Sequence, residues 1–292
     1  MPISPEILEQ ARRIEIRVKR LVNTIMAGEH PSIFKGRGYE FHEIREYQIG
    51  DDVRNIDWKT TAKLNTPHVR VSIEEKELPV TFIADISGSM DYGSGRITKR
   101  YRLVELVTLL GLIAVRKLNP VSVIAFTDRV EFMIKPRKGR QALMDIITRL
   151  LSERPPHRGS SIGCGIEMYR GSGIKKGIAF VISDFLSDDY GESLRLSVSG
   201  WDIVPVVITD EREGTIPEAG FVHIFDLETG GRTSIDTMDP AFRMHVAARL
   251  KEIQRDREAL FKSLGIDWID ISTSPRHDNF APVREFFLKR AG

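Results

Sequence analysis

The chain has a single cysteine, Cys164, in 292 residues. One thiol excludes an internal disulfide and offers none of the paired-cysteine spacings that hold structural zinc. Long hydrophobic runs are also missing. The oiliest stretch, 103–115, is interrupted by Glu105, and it falls short of the roughly 20 apolar residues a membrane span requires. No charge predominates: 43 basic residues against 41 acidic ones leave a net +2. That balance supplies no global field for nucleic acid or an anionic membrane. The chain lacks internal repeats, low-complexity tracts, a GxxxxGK[ST] phosphate loop and an HExxH pair. The early residues Glu6, Glu9, Arg12 and Arg13 are unlike a secretory signal. The expectation is a soluble, cytoplasmic protein with no stable membrane insertion and no nucleic-acid partner.

What is present is ordinary globular material, 41% hydrophobic and 29% charged, enough for a real core. Residues 4–27 carry an apolar stripe (Ile7, Leu8, Ala11, Ile14, Val18, Leu21, Val22, Ile25) at helical spacing, opposite Arg13, Arg17 and Arg20. This predicts a helix docked on the body with a solvated basic face. Residues 28–78 are punctuated by Gly36, Gly38, Gly50 and Asn65-Thr66-Pro67, which suggests a small β-rich appendage. Within it, the charges of 45–59 read as local pairs for Arg45 and Arg54, with Trp58 in a small core. A partner surface is the other reading, and a second metal site at Asp51, Asp52 and Asp57 a third.

From residue 79 the pattern alternates. Strands are expected at 79–86, 121–126, 130–134, 177–183, 202–208, 221–226 and 266–271. Helices are expected near 98–118, 139–152, 161–171, 190–199, 240–263 and 281–289. Apolar strands alternating with helices predict an α/β fold with a doubly wound, mostly parallel sheet. The domain division expected is 1–78, helix plus appendage, and 79–292, the α/β domain.

The stretch Pro79-Val80-Thr81-Phe82-Ile83-Ala84-Asp85-Ile86-Ser87-Gly88-Ser89 ends an apolar strand in three hard oxygen donors, Asp85, Ser87 and Ser89. Two more loops offer oxygens to the same sheet edge, where open α/β sheets bind ligands. One is Gly159-Ser160-Ser161, before a helix; the other is Asp184, directly after an apolar strand. Hard oxygen donors suit Mg2+, which retains several waters; Mn2+ and Ca2+ are the related choices. Arg96 and Lys99 fall near the same rim, with no role that spacing assigns.

Asp85-Ile86-Ser87-Gly88-Ser89 resembles the DxSxS motif of the von Willebrand factor A-type fold, whose metal-ion-dependent adhesion site adds a Thr from a second loop and an Asp from a third. Carried over, the resemblance implies metal ligation by Asp85, Ser87, Ser89, Ser160 and Asp184. Ser160 stands where the family has Thr, and Ser161 is the neighbouring candidate. The upstream run from Gly36 to Lys63, with Gly50-Asp51-Asp52-Val53-Arg54-Asn55-Ile56-Asp57-Trp58 at its heart, is similar to the bacterial domain of unknown function 58 family, which is found beside MoxR-type AAA+ ATPases. That resemblance implies a metal-dependent protein-binding adaptor, not an enzyme, that works with such an ATPase on an unknown client protein.

Rival functions have weaker support. A phosphotransferase using Asp85 as nucleophile would place a carboxylate at 87, where Ser stands. A serine hydrolase would place Gly at 85, two residues before Ser87. Metal-dependent hydrolysis stays open as an alternative. So does nucleic-acid binding, through the basic helix 12–20 and Lys135-Pro136-Arg137-Lys138-Gly139-Arg140, a run that a solvated loop also explains.

Overall fold

The computed structural model describes residues 4–27, 43–71, 77–156, 159–225, 231–274 and 280–291. In chain order the elements are α1 (Pro5–Ala27), β1 (Glu43–Glu46), α2 (Trp58–Leu64), β2 (His68–Val71), β3 (Val80–Asp85), α3 (Lys99–Arg116), β4 (Val121–Phe126), β5 (Val130–Arg137), α4 (Arg140–Ser152), α5 (Ile162–Gly171), β6 (Ile178–Ser183), α6 (Tyr190–Ser197), β7 (Asp202–Thr209), β8 (Phe221–Phe225), β9 (Arg232–Asp236), α7 (Pro240–Ser263), β10 (Ile269–Ser272) and α8 (Ala281–Ala291). Short 3-10 turns occupy Val53–Asn55 and Gly88–Asp91.

Six strands form one sheet in the order β10-β7-β6-β3-β4-β5. Every neighbouring pair is parallel except β4–β5. Counted within the sheet, the order is 3-2-1-4-5-6, so the winding reverses between β3 and β6, where doubly wound sheets open a crevice. Every residue of β3, β4 and β6 is buried, as expected of parallel strands covered on both faces. On one face lie α1, α3, α4 and α8, whose Ala11, Ile14, Val18, Leu106, Leu110, Ile146 and Phe287 share a single core with the sheet. On the other lie α5, α6 and the end of α7, through Ile162, Ile166, Leu194 and Phe261.

Helix α3 is apolar nearly all round and is buried along most of its length. Its Glu105, 0% exposed, is neutralised by Arg102 of the same helix and by Arg17 of α1 at 3.1 Å. The basic face of α1 is therefore not only solvated: Arg17 compensates a buried carboxylate.

Several boundaries differ from the sequence expectation. Strand β5 runs three residues further than 134 and absorbs Lys135, Pro136 and Arg137, read from sequence as part of a basic loop. Edge position is what lets Pro136 sit in a strand. The final strand starts at Ile269, not 266, because Gly265 adopts φ +64 and the chain is still turning there. Strands β8 and β9 form an antiparallel hairpin separate from the main sheet.

The segment 43–71 holds two antiparallel strands and also a helix, where extended chain was expected. Asp57 nucleates α2 by accepting from the amides of Lys59 and Thr60 at 3.0 and 3.1 Å, and Asn65 ends it in the left-handed conformation. Trp58, expected in a local core, is 71% exposed. It is the first residue of a two-turn helix, and a two-stranded sheet is too small to cover it. The parts of the expected appendage at 28–42 and 72–76, and the last residue of the strand expected at 221–226, lie outside the described residues.

Candidate metal centre

Asp85 closes β3 at the reversal point of the sheet and is 0% exposed. Its Oδ1 accepts the Ser87 amide at 2.9 Å, an Asx turn that bends the chain out of the strand. Its Oδ2 accepts two hydroxyls, Ser160 Oγ at 2.9 Å and Ser183 Oγ at 2.7 Å. Ser87 and Ser89 Oγ lie 3.2 Å apart across the turn. The sequence motif thus becomes a cluster of hard oxygens, in which Asp85 supplies the charge and its hydrogen-bonded neighbours are neutral.

Burial, and then the nearby Asp184 carboxylate, push the Asp85 pKa up to about 6. Hydrogen bonds from Ser87 and Ser183 pull the other way. A buried carboxylate held among hydroxyls and a second carboxylate is costly unless a cation compensates it. The donors therefore fit a hard divalent ion: carboxylate and hydroxyl oxygens, with no soft ligand among them. Among the described residues no three His, Cys, Asp or Glu side chains cluster for a metal, so any ion held here rests on hydroxyls as much as on carboxylates.

The second loop reaches Asp85 because α5 lies hard against the sheet. A Cβ on Gly165 would come within 2.8 Å of Ile83 and Phe126, so only glycine permits that approach. The loop is also pinned from below, since the Ser161 amide donates to the Thr127 carbonyl at 2.8 Å. Ser160 turns to Asp85, whereas Ser161 caps α5 and donates to Asp189 at 2.6 Å. Between the two candidates for the second loop, Ser160 is the one in contact with Asp85.

Asp184 follows β6 directly and is 3% exposed. Phe185, next in the chain, has φ 55, a left-handed conformation that a bulky residue rarely adopts. Edge-on contacts with Tyr190 and Phe261 at 5.2 and 5.5 Å hold it there. Such locally strained backbone tends to accumulate at functional sites.

Asp184 brings in a residue whose role sequence reasoning did not assign. Its Oδ2 lies 2.8 Å from Lys99 Nζ at the start of α3, and Lys99 also contacts Glu213. Burial works against the Lys99 ammonium, but Asp184 and Glu213 outweigh it and raise its pKa. Asp210, after β7, was missed as well. It accepts the amides of Ser94 and Arg212 at 3.0 and 2.9 Å and the Thr273 hydroxyl, tying the first loop to the ends of β7 and β10. Partial burial opposes its charge, but the bonds from Ser94, Thr273 and Arg212 hold its pKa down at about 2. Beside it, a cleft of about 450 Å³ is rimmed by Arg96 and Arg212. The signal available in sequence was the same as for Asp184, an aspartate closely following an apolar strand.

The remaining expectations resolve differently. Asp51 is clamped by Arg45 at 2.6 and 2.8 Å, while Asp52 and Asp57 accept local amides, so these three acids do not gather. In the basic run, Arg137 pairs with Asp145, Lys138 with Glu77 and Arg140 with Glu15. Burial pushes the Cys164 thiol up to about 11, which leaves no thiolate nucleophile at neutral pH. The described histidines nearest a serine or threonine sit elsewhere, His68 on Thr66 and His223 on Ser234. No described helix is long and apolar enough to cross a membrane.

Residues 43–256 match the model of a family described as protein of unknown function DUF58. Uncharacterized proteins of Mycobacterium tuberculosis and Mycobacterium bovis are each 26% identical over 289 residues, covering 98% of this chain and 90% of the relative. Among solved structures, the conserved hypothetical protein BatB of Bacteroides thetaiotaomicron aligns with a TM-score of 0.44 at 16% identity, over 73% of this chain and 98% of that one. An aerotolerance-related membrane protein of Bacteroides fragilis aligns with the same TM-score, identity and coverage.

Proposed function

The chain belongs to the DUF58 family, and we propose that it is a metal-dependent, protein-binding adaptor of the von Willebrand factor A type. In this reading Asp85, Ser87, Ser89, Ser160 and Asp184 hold Mg2+ or a related ion. One coordination position is left for a carboxylate of a protein partner. The ion supplies Lewis acidity and charge, and the chain's own hydroxyls and carboxylates orient it.

One observation carries this reading. A fully buried aspartate at the switch point of the sheet has its oxygens on two hydroxyls and an amide, with two further hydroxyls alongside. A buried charge held by hydroxyls beside a second carboxylate is expensive, and a cation with open positions relieves it. The cleft rimmed by Arg96 and Arg212, with Glu211 the one acid in its lining, has a net basic rim that suits the approach of an acidic segment. Binding is favoured over hydrolysis because the described serines of the site bond to one another and to Asp85, with no histidine or lysine on them, and Asp85 is the carboxylate this reading gives to the ion. The proposed partner is a MoxR-type AAA+ ATPase, with a client protein handled jointly in assembly or maturation, in the cytoplasm. That part rests on the resemblance to the family around Gly50–Trp58.

Two measurements test it. Calorimetry with Mg2+ and Mn2+ should show binding by wild type and at least a hundredfold loss in Asp85→Ala; equal binding by both would remove the site. Co-purification with a cognate ATPase should be lost in EDTA and in Asp184→Ala. A complex indifferent to both would sink metal-mediated contact.

A further inference from the structure

Lys99 is the charged group of this site that neither spacing nor resemblance assigns. Its side chain is 1% exposed, its Nζ lies 2.8 Å from Asp184 Oδ2 and touches Glu213 Oε1, and the Tyr92 ring lies 5.9 Å away. Its backbone is fixed as firmly. The Lys99 amide donates to the Tyr92 carbonyl at 2.9 Å, and Thr98 caps the helix that Lys99 begins. Glu213 is in turn held by the turn after β7, where its Oε2 accepts the Asp210 amide at 3.1 Å. A solvated lysine would not be placed this way. This ammonium has exchanged its water for two carboxylates, one of them the third-loop residue of the proposed metal centre.

Charge counting gives the arrangement a meaning. Lys99 meets two carboxylates, Asp184 and Glu213, and Asp85 lies close enough to Asp184 to feel its charge; the linked set of three carboxylates and one ammonium carries a net of two negative charges, which one divalent cation balances. Without Lys99 that set would carry three negative charges, and in the metal-free protein Asp184 and Glu213 would keep only the amides of Leu186 and Asp210 as partners.

We propose that Lys99 is a positioning residue of the metal centre: an internal cation that holds Asp184 and Glu213 in place without metal and limits how tightly the site binds a divalent ion. A moderately held ion keeps positions open for a partner's carboxylate, whereas the uncompensated negative charge left without Lys99 would hold the ion more tightly. The inference rests on the metal reading above.

The test is a Mn2+ titration, by calorimetry and by the electron paramagnetic resonance signal of free Mn2+, on the full chain and three variants. Lys99→Met removes the charge and keeps the length, and should bind Mn2+ at least about tenfold tighter, since a unit charge a few ångströms from the ion is no longer repelling it. Lys99→Arg keeps the charge and should stay within about threefold of wild type. Glu213→Gln keeps Lys99 but removes a balancing carboxylate, and should bind at least about threefold weaker. If Lys99→Met does not fold, the other two variants decide. Wild type binding Mn2+ with Lys99→Met no tighter and Glu213→Gln unchanged would overturn the inference and leave the metal reading standing. No binding by any of the four proteins would overturn the metal reading and this inference with it.

Discussion

Two sets of acids in this chain are used in opposite ways. Between Asp51 and Asp57 three aspartates fall within seven residues. Each is consumed locally: Asp51 by Arg45 and the Gln48 amide, Asp52 by the Arg54 amide, Asp57 by two amides of α2. Asp85, Asp184 and Asp210 are separated by 99 and 26 residues in sequence. Each lies at or just past the end of a parallel strand, and the sheet order brings those ends side by side. Density along the chain marks caps and turns, because an aspartate's short side chain reaches amides two or three residues away. Convergence in space marks the candidate site, because only tertiary structure gathers carboxylates against their mutual repulsion.

The contrast predicts unequal costs when members of each set are altered. The largest concerns the cation that holds the strand-end acids. Lys99→Met leaves the buried Asp184 and the half-buried Glu213 without the cation between them, and in metal-free protein should cost about 3–5 kcal/mol in urea unfolding. Saturating Mn2+ should restore a substantial part of it, by linkage. A loss below about 1 kcal/mol would place the Lys99 pair with ordinary surface pairs and erase the contrast.

The strand-end set also predicts a pH signature, through Asp210. Its folded pKa, held at about 2 by Ser94, Thr273 and Arg212, lies below the unfolded value. A depressed carboxylate contributes stability that is complete above the unfolded pKa of about 4 and is lost as pH falls toward 2. The contribution is on the order of 2 kcal/mol. The stability gap between wild type and Asp210→Asn should therefore be constant above about pH 5 and close toward pH 2. A gap independent of pH in that window would mean that the carboxylate's charge is not what pins the first loop.

How far the sequence revealed these features follows from the same physics. The apolar runs of β3, β4, β6 and β7 stand out because a parallel strand buried on both faces has no polar alternation to obscure it. Asp85 and Asp184 are visible as abrupt ends to such runs. Lys99 is not, since Thr98-Lys99-Arg100 reads as a capped helix start with solvated cations, and only the placement of the start of α3 beside Asp184 and the 210–213 turn buries it. Trp58 misleads in the other direction: an aromatic beside charges reads as a small core, yet the local sheet has too little area to enclose it. Ser160 and Ser161 cannot be separated by spacing, because choosing between them requires knowing which hydroxyl α5 takes as its cap.

Smaller effects are expected in the local set. Asp57→Ala removes the acceptor for two amides at the start of α2 and should cost about 1 kcal/mol, the usual worth of such a cap. The effect should be confined to the segment around α2, so amide exchange there should speed up while β3 and β6 remain protected.

The smallest effect is the sharpest discriminator. Asp51→Asn keeps the shape of the side chain and an acceptor for the Gln48 amide, but removes the charge that meets Arg45. Arg45 lies in the same two-stranded unit, and neither residue bonds to any of the five proposed ligands. Mn2+ affinity should therefore stay within about twofold of wild type, since a partly exposed charge outside the pocket is screened by water and salt. Asp85→Ala, read in the same titration, should lose binding at least a hundredfold. If Asp51→Asn instead weakened Mn2+ binding as Asp85→Ala does, the acid-dense segment would be part of the metal centre, and the distinction between acids spent on local turns and acids gathered at the sheet edge would fail.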